Sequence, residues 1–364
     1  MEQLFHLHDQ GENISRTNLL YGCDGQISDT IPPPEAYTVA TVIFLTIIVS
    51  VFGNSLIIVA VYRIKLLQTP TNALLCSLAI TDLLGPIVRL LSLGIAMVLG
   101  KWTFGCNWCV VSSTLGILFG AGSINHLCLI SVERCITINF PYKAKQFIHK
   151  RSITVAIFIV WTVSIVCSLL PFVGVGLVRF TPTMLDCEVY LGNEPKLGLV
   201  LGGVYFIFPF TVMVIVYTLI FCISVRKQTK QMFTYSIGRR EEKQKQKMKA
   251  EMKALKTVMI VVGFFFLLWL PYFITSGLEP FHPSMVPSWW KRFSFILAYM
   301  NSCCNWIVYG VRNKQMRNAF KSVLGISNKR RTSETSEKSI ASQTKSTRRH
   351  VFKCQDFNEN NSNS

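Results

Sequence analysis

Residues 37–62 read YTVATVIFLTIIVSVFGNSLIIVAVY, a stretch without a single Asp, Glu, Lys or Arg. About 20 such residues are enough to cross a bilayer as an α-helix. Six further stretches are comparably apolar, and their charges fall near their ends, except for Asp82 and Arg89 inside the second. A backbone in lipid must satisfy its own hydrogen bonds, so each stretch is predicted to be helical. The predicted spans are about 37–62, 72–100, 107–134, 152–178, 197–225, 252–278 and 293–312.

The composition argues against a soluble enzyme. Only 15% of the 364 residues are charged, whereas an average soluble domain has about a quarter. Twelve cysteines are too few for a small disulfide scaffold. The net charge of +18 is a topology signal, since 30 of the 37 Lys and Arg fall on one side when the amino terminus is outside. Anionic membrane lipid is therefore the first expected partner of these bases, and no nucleic acid is expected.

The predicted organisation is an all-α integral membrane protein, a bundle of seven transmembrane helices over 37–312. Residues 1–36 form an extracellular tail that lacks a cleavable signal peptide, so the first helix serves as the signal anchor. Asn13 heads a glycosylation sequon in that tail. Residues 313–324 form a short amphipathic helix on the membrane surface. Residues 325–364 are polar, rich in Ser and Thr, and predicted to be a disordered cytoplasmic tail.

Polar and special residues inside the spans carry a family resemblance, because polar groups in lipid are costly and usually functional. The markers are Asn54, Asp82, Glu133-Arg134-Cys135, Trp161, Pro209 with Tyr217, Phe265 with Trp269 and Pro271, and Asn301-Ser302 with Asn305 and Tyr309. One per span and in order, they resemble the rhodopsin-like (class A) G-protein-coupled receptors over residues 37–324. Two positions depart from that pattern: Cys135 replaces an aromatic residue, and Trp306 replaces a proline whose loss should straighten the seventh helix.

The resemblance implies a plasma-membrane receptor and not an enzyme. Such a receptor binds an extracellular ligand and activates heterotrimeric G proteins by outward movement of the sixth helix. It also implies arrestin and a receptor kinase as partners, acting on Ser and Thr of the tail.

The resemblance also implies a switch at the cytoplasmic side, in which Arg134 is held by Glu133 and by Glu251. Glu251 lies 20 residues before Pro271, or about 30 Å of helix, which sets it level with Arg134. Tyr217, Asn305 and Tyr309 complete the switch. Ile124, Pro209, Phe265, Trp269 and Pro271 correspond to the relay between ligand and switch; plain core packing explains the same residues.

Asp82 needs a proton, a partner or a cation at mid-membrane. The resemblance gives it the family's sodium-binding set, with Ser123, Asn301, Ser302 and Asn305, and oxygen-bearing side chains suit a hard cation. A protonated Asp82 in a water network is the alternative. No other cofactor is expected. The resemblance further implies a disulfide between Cys109 and Cys187, and Cys23 and Cys106 are a candidate second pair.

The ligand is approached by exclusion. Residues 293–311 contain no lysine for a retinal Schiff base, and Gly116 stands where amine receptors carry an aspartate. Arg89 needs an anionic partner, which is an acidic ligand, Asp186 or Glu279, unless it reaches the headgroups. A weaker resemblance to prostanoid receptors favours an acidic lipid; a peptide or other small molecule is the alternative, and a seven-helix transporter a remote one. The candidate pocket residues are Arg89, Gly116, Gly120, Leu201, Tyr205, Tyr272, Phe273, Phe295 and Tyr299.

Overall fold

The computed structural model describes residues 31–140, 144, 146–170, 177–190, 207–233, 240–279 and 281–326. The predictions for Asn13, Cys23, Leu201 and Tyr205 lie outside these residues, as does the tail beyond 326. The chain divides into two units, 1–317 and 318–364.

Helices make up most of the described chain, and they follow the order of the predicted spans. One long helix, α2 (Pro70–Leu99), contains a π-helical turn at Pro86–Leu90. Single 3-10 turns occur at Lys65–Leu67 and Pro283–Met285. The helices are α1 (Pro33–Arg63), α2 (Pro70–Leu99), α3 (Gly105–Asn139), α4 (Lys150–Leu169), α5 (Phe208–Phe233), α6 (Arg240–Leu278), α7 (Ser288–Arg312) and α8 (Lys314–Val323).

Five of these helices are long and apolar enough to cross a membrane by length and composition alone. They are α1 to α4 and the Met259–Leu278 part of α6, while the apolar part of α5, Phe208–Ile223, is shorter within the described residues. Helix α7 is not apolar enough to be counted with these five, because it carries Lys291 and Arg292 near its start and buried amides at Asn301 and Asn305.

The fourth predicted span was too long. Helix α4 ends at Leu169, and Leu177 and Val178, assigned to the span by hydropathy, begin a strand instead. Hydropathy cannot tell a buried strand from the end of a buried helix, since both are apolar. Helix α6 starts at Arg240, so the Lys- and Glu-rich segment before residue 257 forms the first part of this helix.

Two strands form a hairpin between α4 and α5. Strand β1 (Leu177–Thr181) pairs antiparallel with β2 (Asp186–Tyr190), with Thr181 opposite Asp186. The apolar residues of the hairpin pack into one core with Ile31, α1, the second half of α2, the start of α3 and Phe295 of α7. We call this end of the bundle the hairpin end, and the opposite end, where Arg134 lies, the Arg134 end.

Buried polar side chains join the helices in the middle of the bundle. The Asn54 amide donates to the carbonyl of Ser302 at 3.0 Å and so links α1 to α7. Trp161 of α4 donates to Ser77 Oγ of α2 at 3.0 Å, and Ser77 also bonds His126 of α3 at 2.7 Å. His126 is thus a packing residue with satisfied hydrogen bonds, since its other ring nitrogen bonds the Gly122 carbonyl at 2.7 Å.

Helix α7 is continuous through Trp306, where the family pattern has a proline. The indole lies directly against the backbone of Gly53 in α1, so close that a β-carbon at Gly53 would overlap its ring atoms. Phe52 meets the same indole edge-on, with ring centroids 5.9 Å apart. Glycine at position 53 is therefore what lets the indole lie between α1 and α7.

Replacing Gly53 by alanine is expected to destabilise the protein. The methyl group gains up to about 1 kcal/mol of helix propensity. Displacing a rigid indole in a packed interface costs more, about 1–3 kcal/mol. The measurement is Tm of purified, detergent-solubilised protein. Gly263→Ala in α6 is the matched control, since a β-carbon added there would meet no atom of the described residues within 4 Å, and the variant should melt at or above the wild type. A Gly53→Ala protein as stable as that control would contradict the packing described.

Candidate functional site

The π-helical turn in α2 decides where Arg89 points. Counted as regular α-helix, the seven residues from Asp82 to Arg89 would place the two on a similar face. The wider turn over Pro86–Leu90 changes that register. Arg89 is buried, with 4% of its surface exposed, and its side chain extends toward α3 and the hairpin.

Arg89 already has an anionic partner within the chain. Its Nη2 lies 2.9 Å from Oδ2 of Asp186, which is fully buried, and it also donates to the Cys187 carbonyl. The guanidinium carbon lies 5.5 Å from the centroid of the Phe295 ring. Of the partners considered from the sequence, Asp186 is the one found, and Glu279 pairs elsewhere. Nη1 of Arg89 is buried without a hydrogen-bond acceptor among the described residues.

Gly116 of α3 makes room for Arg89. A β-carbon at Gly116 would lie 3.1 Å from both Cδ of Arg89 and the hydroxyl oxygen of Tyr299. The position at which amine receptors carry an acid thus faces a cationic side chain in this chain. A carboxylate there would compete with Asp186 for Arg89, and a cationic amine would meet the Arg89–Asp186 ion pair in place of an unpaired acid.

Two more bases at the hairpin end are paired with acids. Lys291 Nζ lies 2.6 Å from both Glu188 of β2 and Glu279 at the end of α6. Arg292 binds the Glu35 carboxylate of α1 and the Thr183 carbonyl of the hairpin. Carboxylates of the chain itself therefore neutralise both Lys291 and Arg292.

Lys291 lies just before the predicted span at 293–312, so its protonation is set by its neighbours at the hairpin end. Burial acts to lower its pKa, but Glu188 and Glu279 outweigh burial, and the pKa lies above its usual value. Lys291 therefore remains charged and joins the hairpin to the end of α6.

Aromatic side chains of α6 and α7 line the region next to Arg89. Tyr272 and Phe295 contact across the two helices, with centroids 5.7 Å apart, and Phe295 contacts Tyr299 at 5.1 Å. Trp269 stacks on Phe273 with centroids 5.5 Å apart. A β-carbon at Gly120 would lie 3.6 Å from the Trp269 ring, so Gly120 borders the same region from α3. The structure thus brings the described pocket candidates together.

Asp82 collects hydrogen bonds from two helices. Ser123 donates to Oδ1 at 2.8 Å, Asn305 to Oδ2 at 2.6 Å, and Ser302 to Oδ1 at 3.4 Å. Asn301 is buried as well. The side-chain oxygens of Asn301 and Asn305 are buried without hydrogen-bond partners within the described part of the chain. Asp82 forms no ion pair with a described basic residue.

Glu133 is held in place at the Arg134 end. Its Oε1 accepts hydrogen bonds from Thr71 of α2 at 2.8 Å and from Thr137 one turn later at 3.1 Å. Its Oε2 lies 3.3 Å from Nε of Arg134. Only the backbone of Glu251 in α6 belongs to the described structure, so the contact between Arg134 and Glu251 stays a prediction.

Three of the five relay candidates are buried, and Trp269 and Pro271 are half-buried. Ile124, Pro209 and Phe265 are all buried, and Phe265 lies against Trp269 with centroids 6.0 Å apart. Pro271 lies inside α6. Tyr217 bonds Ser131 at 2.7 Å, while the buried Tyr309 hydroxyl has no partner among the described groups.

Several functional contacts were missed from the sequence. Thr71, Ser131 and Thr137 are ordinary helix residues by type, and only the fold brings them to Glu133 and Tyr217. Asp186, by contrast, was one of the partners considered for Arg89. The expected disulfide joins Cys109 to Cys187, with Cα atoms 5.4 Å apart. Cys106 forms no disulfide with another described cysteine, and since Cys23 lies outside the described residues, that second pair stays a prediction.

The geometry agrees with comparisons to known proteins. Residues 53–309 match the family model described as 7 transmembrane receptor (rhodopsin family). The chain belongs to this family. It is 29% identical to the alpha-1A adrenergic receptor of Bos taurus over 346 residues, covering 84% of this chain and 73% of the relative. It is 32% identical over 292 residues to trace amine-associated receptor 4 of Mus musculus, covering 76% and 82%.

The solved structure of squid rhodopsin has the same fold. Its TM-score is 0.73 at 25% identity, covering 82% of this chain and 87% of that one. The chain is thus a rhodopsin-family receptor with a seven-helix membrane bundle, and it is a signalling protein and not an enzyme. This confirms the resemblance drawn from the markers.

Removing Lys291 is expected to loosen the hairpin end of this receptor. Lys291→Gln leaves Glu188 and Glu279 without their cation, and an unpaired, partly buried charge costs about 1–3 kcal/mol. The measurement is Tm of the solubilised receptor. Lys101→Gln removes an equal charge from an exposed residue at the same end and serves as the control. Equal melting temperatures for the two variants would show that the ion pairs of Lys291 do not stabilise the fold.

Proposed function

We propose that the receptor sits in the plasma membrane with its amino terminus and hairpin end outside, where a ligand binds. Agonist binding moves the Arg134 end of α6 outward, and the opened cleft accepts a helix of a heterotrimeric G protein. The charge distribution supports this orientation, because Lys and Arg concentrate in the segments at the Arg134 end. Asn13, in the tail before α1, is then accessible to glycosylation.

Arg134 is the proposed switch residue. The support for this role is its place beside Glu133, which two threonine hydroxyls hold in a fixed position. Glu251 of α6 supplies the second carboxylate, so that the outward movement of α6 frees the guanidinium. Tyr217, Asn305 and Tyr309 then rearrange around it.

Arg134→Ala is expected to lower G-protein activation by about tenfold or more, equivalent to roughly 1.4 kcal/mol. The measurement is nucleotide exchange on a G protein in membranes, normalised to receptor at the cell surface. Arg317→Ala, a base of the first turn of α8, is the control for charge. If the Arg134→Ala receptor supports nucleotide exchange at the wild-type rate, Arg134 is not the switch residue.

Asp82 is the proposed anchor of an allosteric sodium ion. Ser123, Asn301, Ser302 and Asn305 would hold the ion with it. The buried amide oxygens of Asn301 and Asn305 fit that role, since oxygen ligands suit a hard cation and theirs lack other described partners. The ion would supply the positive charge that the Asp82 carboxylate lacks in its surroundings.

Sodium is expected to raise Tm of the wild-type receptor, since a ligand that binds only the folded state stabilises it. At ten times its Kd the gain is about 1.4 kcal/mol. Choline chloride at equal concentration controls for ionic strength. Asp82→Asn should make the two salts equivalent, because the neutral amide cannot balance the cation. If the wild-type receptor has the same Tm in the sodium salt and in choline chloride, it has no sodium site, and Asp82 is then part of a water network.

An acidic ligand that reaches Arg89 is the proposed agonist class, with an acidic lipid of the prostanoid type as its first example. The observation that carries this proposal is a buried arginine beside Gly116 and Tyr299, whose Nη1 has no acceptor of good geometry among the described residues. Tyr272, Phe273, Phe295 and Tyr299 offer the apolar surface that the rest of such a ligand needs. Gly120, Leu201 and Tyr205 are the further candidate contacts.

The names of the relatives point to a different ligand class, since they are adrenergic and trace amine receptors. An amine in this chain would face Arg89 at the place where an acid would be required, so we favour the acidic ligand. A peptide that carries a carboxylate is the second candidate, and a ligand screen that includes lipid acids, peptides and amines separates the three.

Agonist potency is expected to fall in Arg89→Ala by an amount equivalent to about 2–5 kcal/mol, the cost of removing one partner of a desolvated charge pair. Arg89→Lys should rescue poorly, because an ammonium cannot make the forked contact. Potencies are normalised to surface expression. Because Arg89 also holds Asp186, the methyl ester of the agonist on wild type is the second arm. An ester as potent as the acid would overturn the acidic-ligand proposal, as would full potency in Arg89→Ala.

The remaining proposed partners act on the cytoplasmic side. Phosphorylation of Ser and Thr in residues 325–364 by a receptor kinase would add about −1.5 to −2 charges each and recruit arrestin. Anionic membrane lipid would contact the bases near the Arg134 end. The sequence of the tail supports these proposals, and its structure lies outside the described residues.

A further inference from the structure

The tip of the hairpin lies inside the helix bundle. Met184, Leu185 and Asp186 have at most 1% of their surface exposed. Leu185 adopts a φ of 50°, a conformation that costs a non-glycine residue about 1–2 kcal/mol and persists only where its surroundings hold it. A loop tip normally lies on the surface. Here the segment fills the core of the hairpin end, between α1, α2, α3 and α7.

Contacts on every side hold this tip. Asp186 binds Arg89 of α2, and its own carboxylate also accepts from the Cys187 amide at 2.8 Å. The disulfide joins Cys187 to α3. Arg292 of α7 binds the Thr183 carbonyl together with Glu35 of α1. The tip thus presents to Arg89 a carboxylate next to an apolar side chain, Leu185.

That chemistry is the same as that of the ligand proposed above. We propose that Met184–Asp186 is a built-in occupant of the carboxylate site at Arg89, that it holds the receptor in its resting state, and that an agonist activates by replacing Asp186 on Arg89. This proposal rests on the proposed function for the class of ligand, and adds that the ligand must displace a segment of the receptor itself.

A second chain of charges extends from the hairpin to the helix that moves. Glu188, two residues after Asp186, binds Lys291, and Lys291 binds Glu279 at the end of α6. A hairpin that leaves Arg89 also pulls Glu188 from Lys291. The end of α6 is then released from α7 and the hairpin, which gives displacement of Asp186 a direct route to α6.

The covalent attachment of Asp186 to the receptor also restricts which ligands can replace it. An attached carboxylate competes at the high effective concentration of an intramolecular group. A small free carboxylate cannot outcompete it, so the agonist needs an apolar body that replaces Met184 and Leu185 as well. The inferred class is therefore a carboxylate attached directly to a sizeable apolar group.

The test uses the full-length receptor in membranes without agonist. Asp186→Ala removes the carboxyl group, and basal nucleotide exchange per surface receptor should rise about fivefold, the lower end of typical allosteric couplings. Sodium formate replaces the missing carboxylate and should return exchange to the wild-type level, because formate completes the hairpin without displacing it. Formamide, which has the same shape without the charge, should not. Sodium chloride keeps the sodium concentration equal throughout.

Lys101→Gln, an exposed change at the same end, is the control and should keep basal exchange at the wild-type level. If Asp186→Ala fails to reach the surface, Glu188→Gln replaces it as the variant, with the same expected rise in basal exchange. Basal exchange at the wild-type level in a variant that reaches the surface overturns the proposal. So does a raised exchange that formate and formamide change equally.

The failure of this proposal can be told from that of the proposed function. If the methyl ester of the agonist is as potent as the acid, the acidic-ligand proposal is overturned, whatever the level of basal exchange in the Asp186 and Glu188 variants. Unchanged basal exchange in the Asp186 and Glu188 variants removes the built-in occupant, and leaves an acidic ligand at Arg89 to be judged by its own experiment.

Discussion

A charge that cannot reach water must find its partner inside the protein, and this constraint organises both ends of the receptor. The cost of an unpaired buried charge is several kcal/mol, more than most single contacts return. Arg89 meets the constraint through Asp186, and so fixes the hairpin inside the bundle. Glu133 meets it through Arg134 and two threonine hydroxyls. Asp82 accepts hydrogen bonds but forms no ion pair with a described basic residue, which is why a sodium ion is proposed there.

The architecture was predictable because lipid imposes a simple rule on sequence. Apolar stretches long enough to span, with bases concentrated on one side, predicted the helices and their order. The markers predicted the neighbours of Asp82, since Ser123, Ser302 and Asn305 do converge on it. The disulfide between Cys109 and Cys187 followed from the same resemblance.

What could not be predicted depends on tertiary geometry. The sequence favoured an acidic ligand for Arg89 and kept Asp186, Glu279 and the headgroups as alternatives, and in the folded structure Asp186 is the partner. The end of α4 was misplaced because Leu177 and Val178 are as apolar as a helix that crosses lipid. The contact between Trp306 and Gly53 joins residues 253 positions apart, and neither residue alone suggests the other. Nothing in the residue type of Thr71 or Thr137 indicates that its hydroxyl donates to Glu133.

The π-helical turn at Pro86–Leu90 has a consequence for comparing this chain with its relatives. A π turn holds one residue more than an α turn, and one residue corresponds to a rotation of about 100° around a helix axis. Residues from Leu91 to Leu99 therefore face directions that simple counting from Asp82 does not give. A gap-free alignment with a receptor whose second helix lacks the wide turn equates side chains on different faces. Ligand contacts carried over that way would be assigned to the wrong residues in this half of the helix.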